Sequence, residues 1–345
     1  MINQLLGTQL PIIQAPMAGV QDATLAAAIC NAGGLGSLPC AMSTPESLEV
    51  EISRLQSLTD HPFNLNFFCH SPGDVTALQQ EKWVHCLQNY FEELSIAPPE
   101  PTAGPLRKPF DDESLALLER FKPAVVSFHF GLPKAEWVQA IKNWGIKILA
   151  TATTVQEAVW LADNGVDAVI AQGLEAGGHR GSFLTNDMTT QCGTLSLLPR
   201  IRSAISLPVI AAGGIAGPEG VAAAIALGGS GVQIGTAFLL CPESRTSALH
   251  RAALKSDAAG HTALTNVFTG KPARSIVNRL ILEVGPMSAN TPPFPSAASA
   301  VSVLRQTREA DGSSDFTPLW SGQNTQGCRE IPAAQLLHHL ATGLE

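Results

Sequence analysis

The sequence predicts an α/β fold, a closed (β/α)8 barrel carrying a mainly helical C-terminal extension near its mouth. Eight short apolar runs recur along the 345 residues, each followed by glycine or polar residues. Between several of them lie Ala-rich amphipathic segments, and repeated β-then-α units call for parallel strands. Hydrophobic residues make up 45% of the chain and charged residues 14%, which implies an extensive buried core and little disordered sequence.

The runs, in order, are IIQAPM from Ile12, LGSL from Leu35, FNLNFF from Phe63, AVVSFHF from Ala124, KILATA from Lys147, AVIAQG from Ala168, PVIAAGG from Pro208 and GVQIGTAF from Gly231. ATLAAAICNAG, VQEAVWLADNG and GPEGVAAAIALGG read as connecting helices, each ending at a glycine suited to a C-cap. An open doubly wound sheet would bury the same strands. Its GxGxxG signature is absent after the first run, which leads into Pro16, Met17, Ala18 and Gly19, so the barrel is preferred.

Residues 1–241 are expected to form the barrel core, interrupted at about 70–120 by a surface excursion with one helix, EKWVHCLQNYFEEL, and the proline-rich IAPPEPTAGPLRKPF. Residues 242–345 are expected to form the helical extension, packed beside or over the mouth, from which Lys271 and Arg274 could reach the site.

The net charge of −8 argues against a nucleic-acid or anionic-membrane partner held by bulk electrostatics. Seven scattered cysteines without CxxC spacing read as reduced thiols, and no metal site is expected. The first residues lack a basic n-region and a long apolar stretch, and Leu207–Leu240 is broken by Pro208, Pro218 and glycines. A cytoplasmic protein without a membrane span, monomeric or homodimeric, is the expectation.

Strand alternation assigns the lining. In VVSFHF, Val126, Phe128 and Phe130 make one apolar face, which leaves Val125, Ser127 and His129 inward. Asn64 and Asn66 oppose Phe63, Leu65 and Phe67; Gln172, Gln14 and Gln233 take comparable inner positions. Amides that both donate and accept suit a neutral heterocycle rimmed with N–H and C=O groups. Gly213 and Gly214 after the seventh run, and Gly235 and Thr236 after the eighth, suit a backbone phosphate cradle. After the sixth run Gly177 and Gly178 let a flat ligand approach the backbone, with His179 and Arg180 beside it, although a solvated surface turn would read the same way. Phosphate, amides and imidazole together describe an FMN site, with Pro16 and Met17 closing one side and His179 and His129 facing substrate. His61, His70, His85, His338 and His339 read as ordinary residues.

QAPMAGV, NAGGLGSL, SFHFGLP, QGLEAGGHRG, AAGGI, VQIGTAFLLCPES and FTGKPAR resemble the nitronate monooxygenases over nearly the whole chain. The resemblance implies an FMN-dependent barrel that oxidises alkyl nitronates, notably propionate 3-nitronate, with O2 to carbonyl compounds and nitrite. It implies FMN contacts from Asn66, Gln172, Gly177, Gly214, Gln233, Ile234, Gly235 and Thr236. It makes His179 the catalytic histidine, with Arg180 and His129 in the substrate pocket. The alternative is the FMN-containing enoyl-acyl-carrier-protein reductase, which takes hydride from NADH; a flavin-binding carrier without turnover is a third reading.

Overall fold

The computed structural model describes the chain except residues 72, 74 and 101–106, so part of the proline-rich insertion lies outside the described residues. All eight apolar runs form strands. They are β1 (Ile12–Gln14), β2 (Gly36–Pro39), β3 (Phe63–Phe68), β4 (Val125–His129), β5 (Lys147–Ala152) and β6 (Ala168–Gln172), then, beyond a two-residue strand β7 (Gly178–His179), β8 (Val209–Ala212) and β9 (Gly231–Ile234). The parallel order is β1-β9-β8-β6-β5-β4-β3-β2. Leu35 N donates to Ile12 O at 3.0 Å and Gln14 N to Leu35 O at 2.9 Å, which joins β1 to β2 and closes the ring. A closed ring leaves no strand edge for another chain to pair with.

Alternation sorts the strands as expected. Leu65, Phe67, Val126, Phe128 and Ile148 share the outer core with helix residues such as Ile52, Leu55 and Leu161. Ile13, Leu35, Val125, Leu149, Ile170 and Ile210 fill the barrel floor, plugged from below by Ile2 and Leu6. Above that floor the inner residues turn polar, and Asn64 Nδ2 donates to both Ser37 Oγ and Ser127 Oγ at 2.9 Å. Phe130 is the exception to the predicted face. Its φ of 70° takes the chain out of β4, so its ring packs at the mouth against Phe68 and His70 instead of beneath the outer helices.

The three predicted connecting helices form as Ala23–Asn31, Val155–Asp163 and Pro218–Ala226. The glycines after them, Gly33, Gly165 and Gly228, have φ of 93°, 91° and 92°, the left-handed turn that a side chain resists. The closing helix, Ala333–Ala341, packs against Ala23–Asn31 and Pro218–Ala226, completing the outer ring from the far end of the chain.

The extension contains more than helices. Strands β10 (Thr262–Thr265) and β11 (Ala273–Ile276) form an antiparallel hairpin, and β11 pairs antiparallel with β7. Gly270 and Pro272 interrupt the segment between them, leaving two runs too short for a helical stripe. The insertion is also more than a surface excursion. Trp83, Leu87, Tyr90 and Phe91 share a second buried core with Val267, Phe268, Leu280, Ala300, Leu304 and Phe316 of the extension, and Trp83 Nε1 donates to Ala297 O at 3.0 Å. Among the described residues no helix is long and apolar enough to cross a membrane.

Gly36 shows how tightly barrel and helices are fitted: a Cβ there would lie 2.0 Å from the Ala26 carbonyl oxygen. Gly36→Ala is therefore expected to cost about 2 kcal/mol or more through overpacking. Urea unfolding with an unchanged m-value and a lowered midpoint is the result that checks it.

Candidate active site

One deep cavity opens at the C-terminal ends of the barrel strands, about 1460 Å³ together with its open mouth. Its lining gathers Met17, Asn66, His129, Gln172, Gly177, Gly178, His179, Gly213, Gly214, Gln233, Ile234, Gly235 and Thr236, all singled out in the sequence. Two predicted residues are not in the wall. Gln14 stands behind it, fully buried, where its amide bonds Gln21 and accepts from Ser37 N at 3.1 Å. Arg180 is also fully buried and does not line the cavity. Its Nη1 and Nη2 donate to Gly173 O and Gln172 O at 2.6 Å each, and its Nε to Gln191 Oε1 at 3.0 Å. The guanidinium is spent on the backbone at the end of β6 and on Gln191, so it holds the loop and is not part of the cavity wall.

His179 is presented by paired backbone. Ala273 lies opposite His179 and Arg274 opposite Gly178, while Arg180 N donates to Pro272 O at 2.8 Å. The His179 carbonyl accepts from Gln172 Nε2 at 3.0 Å and from His129 Nε2 at 3.2 Å. A carbonyl can only accept, so the proton of the neutral His129 ring sits on Nε2. Its Nδ1 then accepts from Thr151 Oγ1 at 3.1 Å. His179 Nε2 meets Thr269 Oγ1 at 2.9 Å. Gly178 has φ of 70°, and a Cβ there would enter open space, so the backbone beside His179 is bare toward the cavity.

A second layer fixes this loop. Buried Glu157 accepts from Thr153 N and Phe183 N at 2.7 Å each and from Leu184 N at 3.2 Å, tying the segment after His179 to the end of β5. Lys271 Nζ donates to Ser182 O at 2.9 Å and lies 4.8 Å over the Phe130 ring. Arg274 Nε donates to Leu174 O at 2.8 Å. Neither cation is part of the cavity wall; both brace the loops that form it.

Several site residues escape the sequence reading. Phe68 lines the cavity, and one more step of the Asn64, Asn66 alternation would have found it. Arg107 lines it too, from a proline-rich segment with no periodicity to point to it, and its Nη1 is buried without a hydrogen-bond partner among the described residues. His70 is more than an ordinary residue: its ring packs edge-on against Phe294 at 4.8 Å and against Phe130 at 6.1 Å. Phe294 and Trp320 each stand 5.3 Å from the His179 ring. His250, on an extension helix, also lines the cavity.

The electrostatics follow from burial. Desolvation holds His179 well below the usual histidine range, and Arg107, His129, Lys271 and His70 push it further in the same direction. Burial likewise takes His129 down to about 3, and His70 and His250 to about 4. Among the described residues no carboxylate lines the cavity. The site therefore offers neutral imidazoles and a guanidinium in an otherwise acidic protein.

Histidines with depressed native pKa bind protons in the unfolded chain first. Stability is fully present above about 6.5 and is lost as pH falls from there toward 3 to 4, since the unfolded state holds more protons in that window. The slope of unfolding free energy against pH is expected to drop by about one proton in His129→Asn, measured by urea titration between pH 6.5 and 4. Arg180→Met strands three acceptors and is expected to lower stability by about 2 kcal/mol or more, as a falling denaturation midpoint would show.

Comparison with known proteins agrees with this geometry. A family model described as nitronate monooxygenase matches residues 1–343. The chain is similar to a nitronate monooxygenase of Pseudomonas aeruginosa, 44% identical over 99% of this chain and 98% of that protein, and to one of Paraburkholderia phytofirmans, 41% identical over 99% and 94%. In structure it is similar to a nitroalkane oxidase from Streptomyces ansochromogenes, with a TM-score of 0.91 and 40% identity over 99% of this chain and 97% of that one. FabK from Thermotoga maritima superimposes with a TM-score of 0.75 at 27% identity, covering 99% and 94%. With residues 1–343 matched by the family model and the same fold shared with a solved relative, the chain belongs to the nitronate monooxygenase family of oxidoreductases.

Proposed function

We propose that this enzyme binds FMN and oxidises alkyl nitronates, propionate 3-nitronate among them, with O2 to a carbonyl compound and nitrite. The observation that carries the cofactor assignment is Gln233 Oε1, an acceptor at the cavity that is buried without a hydrogen-bond partner among the described residues. An unmet buried acceptor costs about 1–3 kcal/mol, and the imide N–H of a flavin ring would satisfy it. Asn66 and Gln172 offer further amides, and the bare turns at Gly213, Gly214 and Gly235 suit the phosphate, because backbone N–H groups bind it without a basic cluster.

When bound, FMN would supply the electron acceptor for the nitronate. The chain's own part is positional. Met17 and Pro16 would back one face of the ring, leaving the other to substrate beside His179. Arg107, with Lys271 behind the wall, makes the mouth favourable to an anion, so the preferred substrate is a nitronate already deprotonated. Neutral His179 holds that anion through its ring N–H. In this division the barrel, residues 1–241, carries the cofactor, and the extension, residues 242–345, orients the histidine. Seven unpaired cysteines are compatible with a reducing cytoplasm.

The test is oxygen uptake by the yellow protein with propionate 3-nitronate and no nicotinamide. His179→Asn is expected to lower kcat/KM by about 10²–10³, the usual effect of losing one donor to a developing or bound anion. A colourless protein that FMN neither tints nor stabilises defeats the cofactor assignment. Bleaching by NADH alone, with no nitronate-dependent oxygen uptake, points to the enoyl-acyl-carrier-protein reductase instead.

A further inference from the structure

His179 lines the cavity, and its Nε2 meets a hydroxyl that is not part of the cavity wall, where a histidine used as a base commonly meets a carboxylate. Thr269 is almost fully buried, and its Oγ1 lies 2.9 Å from His179 Nε2. Two backbone groups of Lys271 compete for the same hydroxyl: its N–H donates to Oγ1 at 3.4 Å, and its carbonyl lies 3.4 Å away as an acceptor. The hydroxyl has one proton, and imidazole at 2.9 Å is the nearer acceptor. With that proton given to the imidazole, Lys271 N–H to Thr269 O–H to His179 Nε2 is a continuous donor chain, and the proton of a neutral ring then belongs on Nδ1. The charged and titratable groups around His179 are Arg107, His129, Lys271 and His70. None of them stabilises an imidazolium.

The turn that carries Thr269 is rigid. Thr269 N and Gly270 N both donate to Asn266 O, and Asn266 Nδ2 donates to Ser288 O at 2.9 Å and Thr291 Oγ1 at 2.7 Å. Gly270 has φ of 91°, and a Cβ there would strike Pro292 O at 2.2 Å. The hydroxyl is therefore held in place independently of substrate.

We infer that Thr269 is a specificity-determining positioning residue: by donating to Nε2 it makes His179 present Nδ1–H to the cavity, a hydrogen-bond donor to an anionic nitronate and not a base for a neutral nitroalkane. This rests on the nitronate reading above. Replacing the hydroxyl by a carboxylate reverses the pattern. The carboxylate accepts from Nε2–H, Nδ1 becomes a lone pair, and a proton from the α-carbon of a nitroalkane can move to it, leaving the nitronate anion beside an imidazolium balanced by the new charge.

The test uses full-length T269S, T269V and T269D. Oxygen uptake is followed with ethylnitronate and with freshly dissolved nitroethane, and the tautomer of His179 by ¹⁵N shifts of histidine-labelled enzyme, assigned against H179N. T269S is expected to keep the parent preference and Nδ1–H. T269V is expected to lower kcat/KM for ethylnitronate about 10-fold or more, and T269D to raise the nitroethane-to-ethylnitronate ratio about 10-fold or more, the lower range for a positioned proton acceptor. An Nε2–H tautomer in the parent enzyme, or T269V at the parent rate, overturns the inference. So does a folded T269D with a raised His179 pKa and an unchanged substrate ratio. If T269D does not fold, the serine and valine pair still decides. The ¹⁵N measurement requires no turnover, so an enzyme inert toward nitronates would defeat the functional reading while the tautomer is judged separately.

Discussion

The site depends on one short pairing, that of β7 with β11. Two residues cannot hold an extended conformation alone, because an isolated strand pair of that length does not recover the entropy of ordering it. Gly178 and His179 are a strand only because Arg274 and Ala273 lie opposite them. The barrel delivers the loop, and the extension stiffens it. Arg180 then anchors the next residue to the two carbonyls at the end of β6, so the histidine is fixed from both sides.

That arrangement explains why insertion and extension share a core. Trp83 and Phe91 share a core with Phe268 and Phe316, which supports the segment between β10 and β11. The hairpin turn places Thr269 on His179, and neighbouring segments bring Phe294 and Trp320 against the same ring. Segments distant in sequence thus converge on one imidazole.

The chemistry of the mouth follows from desolvation more than from net charge. The chain is acidic overall, yet carboxylates near the site, Glu157 and Glu175, are turned into the structure, where they accept backbone N–H groups. Among the described residues, the polar side chains that line the cavity are amides, imidazoles, hydroxyls and one guanidinium. Burial raises the cost of charging the imidazoles, so they stay neutral and act through hydrogen bonds, while Arg107 keeps a charge because its intrinsic pKa is high enough to survive a fall to about 10.

Sequence alone determined the barrel, because eight recurring short apolar runs and glycine stops at the ends of the helices between several of them are local signals that tertiary context reinforces. It also determined most of the wall, since the inner residues of a strand are set by parity: Asn66, His129, Gln172 and Gln233 all fall where alternation puts them. Tertiary structure decided the rest. Arg180 and His179 are neighbours, and only the pairing with β11 shows that one faces the cavity and the other the loop backbone. Gln14 has the right parity but is intercepted by Gln21 and Ser37. Arg107, His70 and Thr269 lie in segments without period, so their arrival at the site is set by packing between distant elements, which no local pattern encodes.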